Sequence, residues 1–444
     1  MPFKVDKTLQ WDVLELHLDE AAFLWQQWER ALDSPLHLFP DLAGGPEWRL
    51  RANLSALTAA GRRAADRLLR PALAGKDLDQ VRVAAAVLLA PGEGQDVEVV
   101  LKAYGHGKQA NRPAIARALE LASSSEVSLQ MLPLLDVAVP FTLVPAIRLL
   151  AFRRAIPEPT LARLLNASDP SVTAAALAAA RYAPGIASAP MLEHALRSTP
   201  AEQEAALVTG LVSGYRSIWG ICSDLAGSPG QAGRMARVLL AMGGDDSDLA
   251  ELIAMLFDPT LTADTLWALG FSGRVAAADA CLPWMEVDDG ALARLAGEAF
   301  AAITGLSLSG PFLRETDPKD EEDGLGHRSD PIDIGLTLAP EAQLPLPENV
   351  AVASWWEKKR PNFDPTRRYL SGRAFDSSCL IDTLLKGPAR RRHMLALELA
   401  IRSRGAVQVE PRAFASTQLR QLALADGQRS SSSFSRPFAA WMSS

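Results

Sequence analysis

The chain repeats a short pattern that opens on an Asp-Pro pair. Residues 169–174 read DPSVTA, and residues 258–263 read DPTLTA, 89 positions further along. An Asp side chain accepts hydrogen bonds from the free N–H groups at a helix start, and Pro supplies a preset φ at the first helical position. The pattern therefore predicts that each copy starts a helix and that the chain is built from similar helical units.

Further units are marked by a branched or small apolar residue near the start of each second helix. The markers are 27 to 34 residues apart, which is enough for two helices of about a dozen residues and two turns. One such hairpin cannot bury its own apolar face, so it has to stack on the next. We expect an all-α fold, an α-solenoid of about eight to ten HEAT-like helical hairpins. The markers are Val81, Ile115, Val144, Val172, Ala205, Ala232, Leu261 and Leu292.

Three regions interrupt the repeat and set the predicted domain limits. Residues 1–40 read as an N-terminal capping helix, and residues 41–306 as the HEAT-like repeat solenoid. Residues 307–388 are an irregular Pro-rich and acidic insertion that carries a Trp-Trp/basic segment, and loops of that length are either disordered or functional. Residues 389–428 return to helical periodicity as a C-terminal helical unit, and we expect the Ser-rich residues 429–444 to be a flexible tail.

The charge of the chain is unevenly distributed. The net charge is −7, yet residues 355–444 carry sixteen Lys or Arg against seven Asp or Glu. We favour the interpretation that this basic part docks on an acidic solenoid. The alternative is a basic face that recruits an acidic partner.

Cysteines and hydropathy point to a reduced, soluble setting. Cys222, Cys281 and Cys379 lie far apart without a Cys-x-x-Cys pair, so we expect buried thiols rather than disulfides or a zinc site. No run reaches the roughly 18 uncharged apolar residues of a membrane span, and the start lacks the features of a secretory signal. We expect a cytoplasmic protein with no membrane span.

Two stretches in the later repeats resemble a known family. Residues 269–282 read LGFSGRVAAADACL and residues 297–306 read GEAFAAITGL. They are similar to an uncharacterised proteobacterial family of HEAT-repeat proteins whose members are often encoded in type VI secretion gene clusters. The similarity extends to Phe23-Leu24-Trp25, Trp355-Trp356, residues 368–372 and residues 396–400.

The same resemblance limits what can be expected of function. Residues 49–57 depart from the more acidic, Asp-Gly-containing stretch of the family. The family has no established activity, so the resemblance implies a fold and a bacterial genomic setting but no reaction.

Candidate catalytic, metal and phosphate motifs are weak throughout the sequence. The histidines form neither an i, i+4 pair nor a His-Glu dipeptide. Residues 105–108 (GHGK) lack P-loop spacing and are expected to form a turn. The acidic run 317–323 lacks the alternation of an EF-hand and is expected to be a solvated loop.

One acidic residue in an apolar helix needs a partner. We expect Glu298 to form a salt bridge with Arg274 or Arg294 rather than to act as a general acid. No nucleophile, base and orienting group are brought together by the sequence. We therefore expect no catalytic residue, no cofactor and no metal, although an enzyme with an unrecognised site stays an alternative.

The strongest interaction candidate is the Trp-Trp/basic segment. Adjacent Trp residues on a helix point to different sides, so one can anchor the segment while the other faces outward. Trp, Tyr and Arg are the residues most often found at binding hot spots. The alternative is that both Trp residues are anchors and the cations are rim charges. The candidate partner-binding residues are Trp355, Trp356, Lys358, Lys359, Arg360, Arg367, Arg368 and Tyr369.

These observations favour a non-catalytic scaffold or adaptor for protein–protein interaction. The resemblance implies a type VI secretion component or effector as its partner. A DNA-binding or DNA-repair-like HEAT solenoid is the alternative, because such stacks can grip a duplex backbone. We do not expect nucleic acid to be the partner, since phosphate binding needs a basic stripe and the repeats are acidic overall.

Overall fold

The computed structural model describes residues 9–92, 94–137, 139–314, 340–428, 434 and 436–442. Within these residues the fold is all-α, with a single two-stranded ladder of four residues, so the predicted fold class is confirmed at this level. The acidic run 317–323, His327 and the Ser-rich residues 430–433 and 443–444 lie outside the described residues. No helix in the described part combines the length and the apolar character needed to cross a membrane.

The chain divides into two compact units. Unit 1 comprises the described residues within 1–33, 37–186 and 410–420, and unit 2 comprises those within 34–36, 187–409 and 421–444. We predicted the segment limits from interruptions of the sequence repeat, whereas these units are groups of residues in mutual contact. The units therefore do not test the predicted limits, which stay predictions.

Unit 1 is built from short helices. A π-helical turn, Ala65–Leu69, joins the fourth helix to the fifth, and the helix that begins at Ala415 lies in this unit up to Arg420. The helices are α1 Trp11–Ala31, α2 Phe39–Gly44, α3 Pro46–Ala59, α4 Gly61–Ala64, α5 Arg70–Leu73, α6 Leu78–Leu89, α7 Gly94–His106, α8 Arg112–Leu121, α9 Ser125–Met131, α10 Pro140–Phe152, α11 Glu158–Leu165, α12 Pro170–Ala180 and α24 Ala415–Ala423.

Unit 2 continues with helices of similar length and the two strands. Its helices are α13 Ala189–Ala195, α14 Pro200–Ser213, α15 Arg216–Ala226, α16 Gln231–Gly243, α17 Asp246–Ala254, α18 Thr262–Leu269, α19 Val275–Cys281, α20 Gly290–Thr304, α21 Asn349–Lys359, α22 Ser377–Lys386 and α23 Arg392–Arg402. Strands β1 Tyr369–Leu370 and β2 Arg373–Ala374 pair antiparallel.

Successive hairpins pack through their second helices. In unit 1, α6 packs on α8, α8 on α10 and α10 on α12; in unit 2, α14 packs on α16, α16 on α18 and α18 on α20. The buried faces of these helices are mostly Ala, Leu and Val, which allow close approach of neighbouring helices. Each predicted marker lies within the first six residues of one of these helices or directly before it. This order of contacts is the one expected of stacked hairpins.

The two Asp-Pro copies behave differently. Asp169 caps α12, since its side chain accepts from the N–H groups of Ser171 and Val172. Asp258 instead accepts from the N–H and Oγ1 of Thr260, and α18 begins only at Thr262, with no side-chain cap. The prediction that the second copy caps a helix is therefore wrong. Asp258 closes a local turn three residues before Leu261, which is the N-cap residue of α18.

Two smaller predictions are confirmed. All three cysteines are free and buried. The GHGK stretch ends α7 at His106, and the chain then turns, with the ammonium of Lys108 donating to the carbonyls of Ala74 and Gly75 at 2.8 and 3.0 Å.

Candidate functional site

Trp356 anchors the Trp-Trp/basic segment in unit 2. It lies on α21 with only 2% of its surface exposed. Its Nε1 donates to Oδ1 of Asp279 on α19 at 2.8 Å, and its ring packs edge-on against Phe300 with 5.3 Å between ring centroids. Phe363, which follows the helix, covers the ring at 5.1 Å. Trp356 is thus a core residue.

The same carboxylate also holds Arg360. The guanidinium donates to both oxygens of Asp279 at 2.8 to 3.2 Å. Burial alone raises the pKa of Asp279, but hydrogen bonds from Arg360 and Trp356 outweigh it and hold this pKa below its ordinary value. One aspartate therefore fixes the end of α21 through two donors.

Arg368 and Tyr369 fix the far end of the segment. Arg368 donates to Glu398 at 2.7 Å and to the carbonyls of Phe271 and Ser272, both at 2.9 Å. The backbone N–H of Tyr369 donates to the carbonyl of Gly273 at 2.7 Å. The Tyr369 hydroxyl accepts from the N–H of Asp364, also at 2.7 Å. Both side chains are used within the fold.

The other four predicted residues are accessible, and we call them the basic turn: Trp355, Lys358, Lys359 and Arg367. Trp355 is half-buried and stacks on Trp356 with 6.2 Å between centroids, whereas the other three side chains are exposed. Arg367 has a loose contact of 3.7 Å with Asp364, and neither lysine forms an ion pair with a described residue. Four of the eight predicted residues thus hold the segment in place within the fold, and the other four are accessible to a partner.

A buried charge network beside this segment was not predicted from the sequence. Glu398, 1% exposed in its side chain, binds Arg368 and also Arg402, which lies at 2.8 Å and is equally buried. Burial raises the pKa of Glu398, but the two guanidinium groups outweigh it and lower this pKa. Glu398 lies inside the apolar run of α23, and a charged residue at such a position is the sequence feature that could have indicated this network.

Glu298 has different partners from those predicted. It binds Arg390 at 3.1 Å and lies 3.8 Å from Arg391. Arg274 instead pairs with Asp246, and Arg294 donates to the carbonyl of Leu344. A salt bridge is present, but its partners come from a segment about 90 residues further along, which helix spacing does not predict.

Arg391 is held in an unusual environment for a cation. Its guanidinium carbon lies 3.8 Å from the centroid of the Phe271 ring and 5.0 Å from that of Trp267. Burial lowers the pKa of Arg391 to about 10, although Glu298 acts in the opposite direction. The group stays charged at neutral pH, and its role is to pack the 389–392 segment against α18 and α20.

Unit 1 contains several cavities that the sequence did not indicate, and two of them have charged groups in their walls that bear on function. The first has a volume of about 690 Å³ and lies among α7, α8 and α10. Its walls are mainly apolar. The second has a volume of about 440 Å³ and is lined almost entirely by charged residues.

Most of the charged groups that line the second cavity are used in ion pairs. Arg117 donates to Glu29 at 2.6 Å and to Glu120 at 2.9 Å, and Arg412 reaches Glu29 at 3.3 Å and Asp33 at 3.1 Å. Burial raises the pKa of Glu29, but Arg117 and Arg412 outweigh it, so this pKa is lowered. These contacts tie residues 410–412 to α1 and α8 within unit 1.

Among the described residues, no group of three or more His, Cys, Asp or Glu side chains is placed to hold a metal ion. Burial raises the pKa of Cys222 and Cys281, the latter to about 12, so these thiols are poor nucleophiles.

Comparison with known proteins adds little to this description. No protein-family model matches the chain, and no curated protein matches it. Among solved structures, it is similar to an engineered protein from the Northeast Structural Genomics Consortium, with 16% sequence identity. The match covers 64% of this chain and 98% of that one at a TM-score of 0.29, which is too low to carry an argument. The class of the protein, all-α, therefore follows from its own helices.

Proposed function

We propose that the chain is a non-catalytic adaptor that binds a protein partner through the basic turn of unit 2. The observation that carries the proposal is the separation within the segment 355–369. Trp356, Arg360 and Arg368 fix the backbone through Asp279 and Glu398, while Lys358 and Lys359 extend into solvent without an ion pair among the described residues. A surface that is held rigid before binding loses less conformational entropy on binding.

The chemistry of the basic turn selects the partner. Two exposed lysines, three and four residues after a half-buried Trp on α21, favour an acidic surface that offers an apolar contact for the indole ring, and Arg367 adds a third exposed cation further along the segment. The family resemblance suggests that the partner is a bacterial type VI secretion component or an effector loaded for delivery. The chain would bind this partner in the cytoplasm. This assignment rests on the resemblance alone.

The test uses site-specific photo-crosslinking in the native cell. A crosslinking amino acid is placed at position 355 in one strain and at position 257 in another. Phe257 is 80% exposed and distant in sequence from the segment. We expect one protein to be captured at position 355 and not at position 257. The double substitution Lys358→Glu and Lys359→Glu should reduce that capture by at least about tenfold, as expected for losing two charge contacts.

A matched control keeps charge effects separate from folding. Lys76→Glu reverses an exposed charge in unit 1 and should leave the capture unchanged. Equal capture at both positions, or capture that survives the double charge reversal, contradicts the proposal. Binding of the purified protein to duplex DNA at low salt, with loss on charge reversal, would replace it with the nucleic-acid alternative.

A further inference from the structure

The apolar cavity of unit 1 has the size of a small-molecule site. Its volume of about 690 Å³ falls within the range of roughly 300 to 1,000 Å³ typical of ligand pockets. It lies entirely within unit 1, so an inference from it is independent of the proposed partner surface in unit 2. The cavity is formed where α7, α8 and α10 meet, with Ser171 of α12 at one side.

The sequence explains why space is left between these helices. Ala116 is small, and Pro113 and Pro140 stand in the first turns of α8 and α10. Pro145 lies inside α10 and has no N–H to donate to the carbonyl of Phe141. The apolar walls are completed by Leu101, Leu134, Val144 and Leu149. Phe141 is 58% exposed, which places an aromatic ring at the rim.

One cation in the cavity wall has a donor without an acceptor. Arg112 donates from Nη2 to the carbonyl of Gly105 at 2.9 Å, and its guanidinium lies over the Phe141 ring at 5.2 Å. Its Nε is buried and has no hydrogen-bond partner in the described structure. A buried donor left unpaired costs on the order of 1–3 kcal/mol, so a shift of the side chain that brings this N–H to an acceptor on a bound ligand would be favourable.

The other charged residues that line the cavity favour the binding of an anionic ligand. Arg148 also lines the cavity, is exposed, and forms no ion pair with a described residue. The one carboxylate in the lining, Glu120, is already paired with Arg117 at 2.9 Å. In addition, α10 begins at the cavity without a side-chain cap, so the positive end of its dipole faces this region, whereas α8 continues directly from the 3-10 turn Gln109–Asn111.

The other polar groups set limits on the ligand. Tyr104 is buried, and burial raises the pKa of its hydroxyl, which therefore stays neutral at physiological pH. Gln109, Gln130, Thr142 and Ser171 also line the cavity, and all four are neutral. The site thus combines an apolar interior with neutral hydrogen-bonding groups and two guanidinium groups that form no ion pair with a described residue.

We propose that this cavity binds a small amphipathic monocarboxylate. The apolar body lies between α8 and α10, and the carboxylate binds Arg112 and Arg148, since guanidinium groups form strong charge-assisted hydrogen bonds with carboxylates. A medium-chain fatty acid has the required combination of one acidic group and an apolar chain.

The proposal is tested with a fluorescent fatty acid on the full-length protein. We expect 11-(dansylamino)undecanoate to bind one molecule per chain with a blue-shifted emission, and decanoate to displace it. Decan-1-ol and decyltrimethylammonium, which have the same chain length but no carboxylate, should compete at least about tenfold more weakly, the factor expected from losing a charge-assisted hydrogen bond.

Variants locate the site. Arg148→Glu changes an exposed side chain and should weaken binding by about tenfold or more, Arg148→Lys should keep most of it, and Ala116→Trp should abolish it by filling the cavity. Arg197→Glu, an exposed charge reversal in unit 2, is the matched control and should change nothing.

Four results would overturn the proposal, each obtained with helix content intact by circular dichroism. They are no binding of the probe, equal competition by decan-1-ol, unchanged binding in Arg148→Glu, and unchanged binding in Ala116→Trp. Because Arg148→Glu alters only the rim, it remains informative if Ala116→Trp fails to fold.

Discussion

At the residue scale, the buried carboxyl of Glu47 couples the stability of unit 1 to pH. Glu47 is 2% exposed, and both of its oxygens lie 2.9 Å from the backbone N–H of Ala415. Burial raises its pKa to about 7, although the Ala415 N–H and Arg51 act in the opposite direction. Ionising this group in the folded state is therefore unfavourable. The contribution of the neutral Glu47 carboxyl to the stability of unit 1 is fully present below pH 4.5. It is lost as the pH rises through 7, because the carboxyl then ionises inside the fold.

Replacement of Glu47 by Gln should remove this pH dependence. The neutral amide keeps an acceptor for Ala415 and never ionises, so we expect the variant to gain up to about 3 kcal/mol over the natural chain at pH 8, at about 1.4 kcal/mol per pKa unit. Chemical denaturation at pH 5 and pH 8 measures the difference. Glu15→Gln, at an exposed position on α1, is the control. A natural chain that is equally stable at both pH values would contradict the raised pKa.

At the element scale, the two tryptophans of α21 have separable roles. Trp356 is buried against Phe300 and donates to Asp279, whereas Trp355 is half-buried. We expect Trp356→Ala to lower the free energy of unfolding by about 3–5 kcal/mol, and Trp355→Ala to cost markedly less while losing partner capture. Thermal melts of the two variants, compared with each other, test this. Equal destabilisation would mean that both residues are anchors and that the basic turn presents no aromatic contact.

The two Asp-Pro copies allow a second comparison between matched elements. Asp169 caps α12, which is eleven residues long, whereas Asp258 only closes a turn before α18. We therefore expect Asp169→Ala to lower the melting temperature more than Asp258→Ala. Circular dichroism melts of both variants provide the measurement. The reverse order would show that the Asp258 turn matters more than a helix cap.

Local signals explain which of these elements could be predicted from the sequence. The markers from Val81 to Leu292 mark the second helices because apolar spacing and turn length are properties of neighbouring residues. The partners of Glu298 and the division between Trp355 and Trp356 depend on residues 77 to 92 positions away in the chain. The apolar cavity has no local signal either, since prolines and a small residue on separate helices create it together.

At the scale of the whole molecule, each unit contains its own series of packed second helices. The fully buried Leu177 on α12 and the 2% exposed Leu88 on α6 lie at opposite ends of the series in unit 1. In a stack of hairpins, stability is the sum of terms within units and between neighbours. The effect of a local cavity should therefore decay along the series rather than spread evenly.

Hydrogen exchange of full-length variants tests this directly. Leu177→Ala, expected to cost about 2–5 kcal/mol, should raise amide exchange most in α11 and α12, less in α10, and least in α6. Leu88→Ala is the matched control and should reverse the gradient, with the largest increase in α6 and α7 and the smallest in α12. A uniform increase across α6 to α12 in both variants would mean that unit 1 unfolds as a single globular core, and the predicted solenoid would then be wrong for this half of the chain.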